Sequence, residues 1–452
     1  MKTRRDFLQA ASLAATAAYL GNPGSAQFAF AQSAGGRTKR FIKAFMRGGA
    51  DGLHLLPPDD PLYRGYRPDI HIAPGTDSEA MLALDMTGQN GENPMSRGMN
   101  PNLWPLMDIW SDGRLLLCPA THFDGNNRSH FDCQRWIGTG APNNLIDGYL
   151  NRYMQVNNGP DHPIRGATLG QSRKSREMVG DVSAPSINRQ GDFNIQNGDF
   201  CSGSGCSENR LLEQMTENAS HPTDLNAAES SLKESQLLMI ETIEQVQGIM
   251  TPSLPQAALD LAPDFSGQGA GRGLKLIWQL VEGGIPLEVA AINVDGNWDS
   301  HSGQISTNES APITDQEKSY NRRMHEGARD LAMFYHAMGG NNPGSHMEDT
   351  IVMVCTEFGR TVKQNGSIGT DHGHAGSWYV FGGGVRGGFA PDVTTLEEST
   401  LDRNNYLPRV VNYKDVVGEI MVKHLGLDET LVSTVFPDHS FNDLGLIEPI
   451  SG

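Results

Sequence analysis

Apolar runs of strand length alternate with segments of helical periodicity along most of this chain. Arg40-Phe41-Ile42-Lys43-Ala44-Phe45-Met46 reads as a strand ending in a Gly48-Gly49 turn, and Arg114 to Ala120 as a second. Pro286 to Val294 and Thr350 to Cys355 give two more, and Trp378 to Phe381 a fifth. Short continuous apolar runs of this kind suit strands buried on both faces. Between them, Tyr320, Met324, Ala328, Leu331, Tyr335 and Met338 recur every three to four residues and make one apolar helix face. Leu225, Ala228, Leu232, Met239, Ile243, Val246 and Met250 repeat the pattern. Buried strands separated by helices predict an α/β fold with a mostly parallel central sheet and helices on both faces. Ligands of such sheets bind beyond the carboxyl ends of the strands.

That rule singles out several polar residues. Asp51 follows the first strand in Arg47-Gly48-Gly49-Ala50-Asp51-Gly52; Asp299 and His301 follow the run ending at Val294; Glu357 follows Thr350 to Cys355. Thr370-Asp371-His372-Gly373-His374 lies just before the last apolar run. Asp299 and His301 are two apart, so extended backbone points them the same way and both can reach one ion. Asp371 and His372 are adjacent and point apart, which suits two neighbouring ions, with His374 an optional ligand. Mixed carboxylate and imidazole ligation fits Zn²⁺ or Mn²⁺, with Ca²⁺ a poorer match. Each motif alone reads as a turn with a capping carboxylate; together, beside strands, they read as a metal site. Glu357 and Arg360 read as a buried ion pair at a strand end, with substrate contact by Arg360 the alternative.

After the second strand the chain continues Asn127-Arg128-Ser129-His130-Phe131-Asp132. Helix from Phe131 onward would put Ser129 at the N-cap, where amide dipoles favour an incoming anion. A nearby metal would make Ser129 a nucleophile, and Arg128 would hold the anion bidentately. The competing reading is a plain capping serine beside a solvated arginine.

Composition narrows the class. The amino terminus, Thr3-Arg4-Arg5-Asp6-Phe7-Leu8 followed by an Ala-rich stretch and Ala29-Phe30-Ala31, reads as a twin-arginine signal over residues 1–31. It predicts a partnership with the twin-arginine export machinery and a periplasmic or secreted chain without a transmembrane anchor. Residues 32–452 read as one domain, with an insertion or cap at about 171–268. A net charge of −18 argues against nucleic-acid binding. Cys201-Ser202-Gly203-Ser204-Gly205-Cys206 is a candidate local disulfide; Cys118 and Cys355 read as buried thiols, while Cys133 is left open.

These blocks, together with Glu357-Phe358-Gly359-Arg360-Thr361 and Gly382-Gly383-Gly384-Val385-Arg386-Gly387-Gly388, resemble the signatures of domain-of-unknown-function family fifteen-oh-one, in order, over nearly the whole mature chain. That family is similar to the alkaline phosphatase and sulfatase superfamily. The resemblance implies an alkaline-phosphatase-like fold, with Asp51, Asp371 and His372 on one ion beside Ser129 and Asp299 and His301 on a second. Two-metal members carry a late third histidine, for which His439 is a candidate. The C/S-x-P-S-R setting of sulfatases is absent, so sulfate is the weaker substrate match. The expected function is an exported metal-dependent hydrolase of small anionic phosphate esters. The alternative is an exported binding or assembly protein that keeps a degenerate site.

Overall fold

The computed structural model describes residues 37–449 apart from 126, 143–144, 193–237, 239, 295 and 306–319. Residues 1–31, read as an export signal, and the candidate disulfide Cys201–Cys206 lie outside the described residues. All five apolar runs are strands: β1 (Arg40–Met46), β2 (Leu115–His122), β5 (Val289–Val294), β6 (Thr350–Thr356) and β7 (Gly376–Gly382). Four short strands extend them: β3 (Gly166–Leu169), β4 (Ser186–Ile187), β8 (Gly388–Phe389) and β9 (Val411–Asn412). They form one nine-stranded sheet in the order β4-β3-β5-β1-β6-β7-β2-β8, with β9 also on β2.

Each main strand is buried on both faces, which accounts for its unbroken apolar sequence. Ile42, Ala44 and Met46 of β1 join one core with Ala290 and Ile292 of β5 and Val352 and Val354 of β6. The alternate residues Phe41, Phe45, Val289, Ala291, Ile351 and Met353 join a second core on the other face. Burying each of the Val, Ile, Phe and Met side chains contributes about 1.5–3 kcal/mol. Helices α3 (Gly269–Glu282) and α4 (Tyr320–Ala337) cover the first face. Helices α2 (His130–Thr139) and α5 (Tyr413–Glu419) cover the second.

The periodic residues of α4 are buried as the spacing predicts, from Tyr320 through Tyr335, with Met338 buried just beyond the helix. The other periodic segment is described only in part. Ile243 and Val246 are buried, but Met250 is 85% exposed, because the helical turns end at Gly248. Cys118, Cys133 and Cys355 are all free and buried.

One strand breaks the parallel pattern. β7 runs antiparallel to both β6 and β2, pairing Val352 with Phe381 and Leu117 with Tyr379. Every other pairing is parallel. The start of β7 therefore lies at the sheet edge where β1, β5 and β6 end. No described helix is long and apolar enough to cross a membrane.

At the opposite edge, buried His424 donates from Nε2 to the carbonyls of Arg40 (3.1 Å) and Asp349 (3.2 Å). Burial pushes its pKa down to about 3, with Lys39 adding to the effect. Above pH 6.5 both folded and unfolded chains hold it neutral. Between pH 6.5 and about 3 the unfolded chain takes up a proton that the folded one refuses, so folding stability declines as the pH is lowered through this range. Between pH 7 and 4.5 His424 alone should account for about 2–3 kcal/mol of lost stability. Urea titrations of wild type and His424→Gln should show a shallower pH dependence in the variant; parallel curves would count against this.

Candidate metal centre

The first requirement at the carboxyl edge is close approach of three chain segments. After β1 the chain turns through Gly48 (φ 123°) and Gly49 (φ 67°), left-handed values that glycine tolerates. A β-carbon on Gly48 would stand 2.5 Å from the Asp299 nitrogen, so the segment after β5 lies directly against this turn. Arg360, fully buried after β6, ties the segments together. Its guanidinium donates to the carbonyls of Gly49 (2.6 Å), Gly48, Trp298 (3.2 Å) and Thr370 (3.1 Å), and to Asp299 Oδ1 (2.5 Å). These bonds join the ends of β1, β5 and β6 to the run preceding β7.

Three imidazoles and one carboxylate converge there. His130 opens α2, His301 and Asp299 follow β5, and His372 precedes β7. His130 Nδ1 meets Glu357 Oε1 at 2.8 Å, His372 Nδ1 meets the Arg128 carbonyl at 2.8 Å, and His301 Nδ1 meets Asp371 Oδ1 at 2.9 Å. Each partner only accepts, so in the neutral rings Nδ1 carries the proton and Nε2 presents a lone pair. The three Nε2 atoms face Asp299. Oδ1 lies 3.1 Å from His301 Nε2 and 3.3 Å from His372 Nε2, and Oδ2 lies 3.4 Å from His130 Nε2. His301 Nε2 and His372 Nε2 are 2.9 Å apart.

Lone pairs so placed repel unless a cation or proton lies between them. His130 Nε2 is moreover buried without a hydrogen-bond partner. Donors at ~2.0–2.1 Å from a tetrahedral Zn²⁺ stand about 3.3 Å from one another. The observed separations match that spacing, so the residues present fit a divalent ion. Among the described residues, His130, Asp299 and His372 each bring one ligand atom within 4.8 Å of the others. Glu357, Asp371 and the Arg128 carbonyl supply the outer hydrogen bonds that orient metal-binding imidazoles.

The electrostatics follow this wiring. The Glu357 hydrogen bond raises the His130 pKa against the effect of burial. Burial would raise Glu357, but bonds from His130 and Gln134 hold it below the usual carboxylate range. Asp299 is likewise lowered, with Arg360 outweighing burial. Burial and the nearby Arg360 and His130 charges lower His372.

Asp51 stands elsewhere. It caps α1 (Gly52–Leu55), and its buried carboxylate receives Arg67 through Nη1 (2.6 Å) and Nη2 (3.0 Å) and Gln304 through Nε2 (2.6 Å). The cation it faces is thus a guanidinium. Asp371 reaches the cluster by holding His301, and is 58% exposed. Glu357 and Arg360 do not pair with each other: Glu357 serves His130, and Arg360 serves Asp299 and the backbone. His374 turns away to Asp402 (3.4 Å) and the Tyr406 ring. His439 binds Asp415 at 2.7 Å, also away from the cluster. Ser129 is the N-cap of α2, but its hydroxyl caps no amide. Arg128 beside it donates to the Tyr406 hydroxyl.

Residues 120–434 match the family model described as protein of unknown function (DUF1501). The chain belongs to the DUF1501 family. No curated protein matches it in sequence. Among solved structures, this DUF1501 protein is similar to a Vibrio parahaemolyticus protein in the alkaline phosphatase superfamily, at 9% identity and a TM-score of 0.32. That match covers 79% of this chain and 63% of the other, less than two thirds of its length. It is also similar to the soluble domain of lipooligosaccharide phosphoethanolamine transferase A from Neisseria meningitidis, at 10% identity and a TM-score of 0.31, over 78% and 81% of the two chains. At these scores the likenesses bear on neither substrate nor mechanism.

His130 is the site residue that sequence reasoning left without a role. Its signal was present: it is a histidine beside the candidate nucleophile, just after a strand. Arg67 and Gln304, which occupy Asp51, carry no local signature.

Two outcomes follow. Asp51→Ala should cost about 3–5 kcal/mol in urea unfolding, because it strands a buried guanidinium, while leaving metal stoichiometry unchanged; loss of metal at retained stability would make Asp51 a ligand. Glu357→Gln should weaken metal binding roughly 10–100-fold, measured by competition with a chelating dye.

Proposed function

We propose that this DUF1501 protein is a metal-dependent hydrolase of phosphate esters, with sulfate esters the weaker match. The observation that carries the reading is the convergence of His130, His301 and His372 Nε2 on Asp299, with every Nδ1 tied to an acceptor. A ligand set rich in imidazole favours Zn²⁺ over Mn²⁺ and disfavours Ca²⁺. Such an ion supplies a Lewis acid that offsets charge developing on ester oxygens.

The chain's own residues would do the rest. Ser129 directly precedes the ligand His130, and its hydroxyl is not spent on capping. In this reading the Ser129 oxygen bonds to phosphorus, the alcohol leaves with a proton, and water then releases phosphate from the serine. Arg128 holds the non-bridging oxygens. The Arg4-Arg5 leader supports export, so the reaction would take place outside the cytoplasm.

One observation favours the non-catalytic alternative. Asp51 is neutralised by Arg67, which removes a carboxylate from a two-ion site. Purified protein should retain about one divalent ion by mass spectrometry and hydrolyse members of a panel of phosphate mono- and diesters and sulfate esters. Ser129→Ala should lose roughly 10³-fold or more in kcat, and His372→Gln should lose the ion. Metal-free protein without Ser129-dependent turnover would sink the reading; bound metal without turnover would favour the binding protein.

A further inference from the structure

Arginines at the carboxyl edge mostly have a carboxylate. Arg67 has Asp51, Arg97 has Asp392 and Arg360 has Asp299. In a chain with 53 acidic against 35 basic residues, that is the expected fate of a cation near the interior. Arg47 and Arg128 differ. Both are half-buried, and neither forms an ion pair with a described residue.

The two are held in the same manner. The Arg47 guanidinium lies over the Phe45 ring at 5.2 Å, donates from Nε to Asn293 Oδ1 (3.2 Å) and from Nη1 to Gln134 Oε1 (2.8 Å). Its Nη2 has no partner among the described residues. The Arg128 guanidinium lies over the Tyr406 ring at 5.0 Å and donates from Nη1 to the Tyr406 hydroxyl, leaving Nε and Nη2 without described partners. In each case an aromatic ring and neutral oxygens fix the planar group and leave its charge unneutralised.

Each is connected to a different imidazole of the cluster. Gln134, which receives Arg47, itself donates to Glu357 Oε1 at 2.8 Å, the oxygen that binds His130. Arg128 reaches the cluster through its own carbonyl, which receives His372. The His130 and His372 rings are 4.4 Å apart. Arg47 is therefore linked to His130 through Gln134 and Glu357, and Arg128 to His372 through its backbone.

We propose that Arg47 and Arg128 bind two separate oxyanion groups of one ligand, so that the substrate is an ester whose alcohol portion carries a second acidic group. This rests on the hydrolase reading for the word substrate, but the two anion sites stand on the guanidiniums themselves. Arg128 takes the reacting phosphate, as the serine beside it requires. Arg47 takes the second group, a carboxylate or another phosphate, and is a specificity-determining residue.

The test separates binding from turnover. Metal-loaded protein is titrated calorimetrically with methylphosphonate and with phosphonoacetate, 3-phosphonopropionate and 4-phosphonobutyrate, which add a carboxylate at increasing reach. At least one carboxylated probe should bind about tenfold more tightly than methylphosphonate, the scale of one charge-assisted contact. That ratio should collapse toward unity in Arg47→Gln and survive in part in Arg47→Lys, while Arg128→Gln weakens every probe. A wild-type ratio near unity across the series overturns the proposal. So does a ratio that persists in Arg47→Gln, since an arginine that merely supports Gln134 and Glu357 would change all affinities alike. If the probes behave as expected but no ester is turned over, the hydrolase reading fails and the paired anion sites remain.

Discussion

The site depends on the buried Arg360 guanidinium and the carbonyls it gathers. Isolated strand ends carry unpaired backbone acceptors, and an edge where three strands finish would leave them facing a cavity. Arg360 takes carbonyls from the turn after β1, the segment after β5 and the run before β7, and spends its charge on Asp299. One cation thereby fixes both the separation of the segments and the orientation of the carboxylate on which the imidazoles converge. The glycines at 48 and 49 belong to the same constraint, because side chains there would push the segments apart.

Carboxylates in this edge fall into two kinds according to what already neutralises them. Asp51 is enclosed with Arg67 and Gln304, fully buried, with its charge offset by protein. Asp299 is partly open and shares Arg360 with a ring of lone pairs that a single guanidinium does not satisfy. Burial disfavours an unpaired carboxylate strongly, and Asp51 and Asp299 each acquire a guanidinium. For Asp51 that cation is part of the fold; for Asp299 a further one is wanted. The contrast concentrates the candidate chemistry on the His130, His301 and His372 side and gives the structural role to the motif at the end of β1.

The outer hydrogen bonds carry as much information as the inner atoms. Glu357, Asp371 and the Arg128 carbonyl each fix a tautomer, and each comes from a different part of the chain. Arg128 is thereby doubly placed, with its carbonyl on His372 and its guanidinium over Tyr406. Tyr406 belongs to a tight turn in which Arg403 (φ 51°) and Asn404 (φ 60°) take left-handed backbone. A strained turn distant in sequence thus positions the arginine beside Ser129.

Local pattern by itself determined the five main strands, the α4 face and the α/β class, because strands buried on both faces must be apolar throughout and a packed helix must repeat every three to four residues. It also determined that Asp299, His301 and His372 lie at strand ends. Partnership was beyond it. Nothing in Thr370 to His374 says that β7 runs backwards, yet only that reversal brings a segment preceding a strand to the edge where other strands finish. Nothing near Asp51 announces Arg67, and nothing near His130 announces Glu357, 227 residues away. Sequence spacing fixes which way neighbouring side chains point; which charge meets which is decided by tertiary packing, since a buried ion's energy depends on its partner in space rather than its neighbour in the chain.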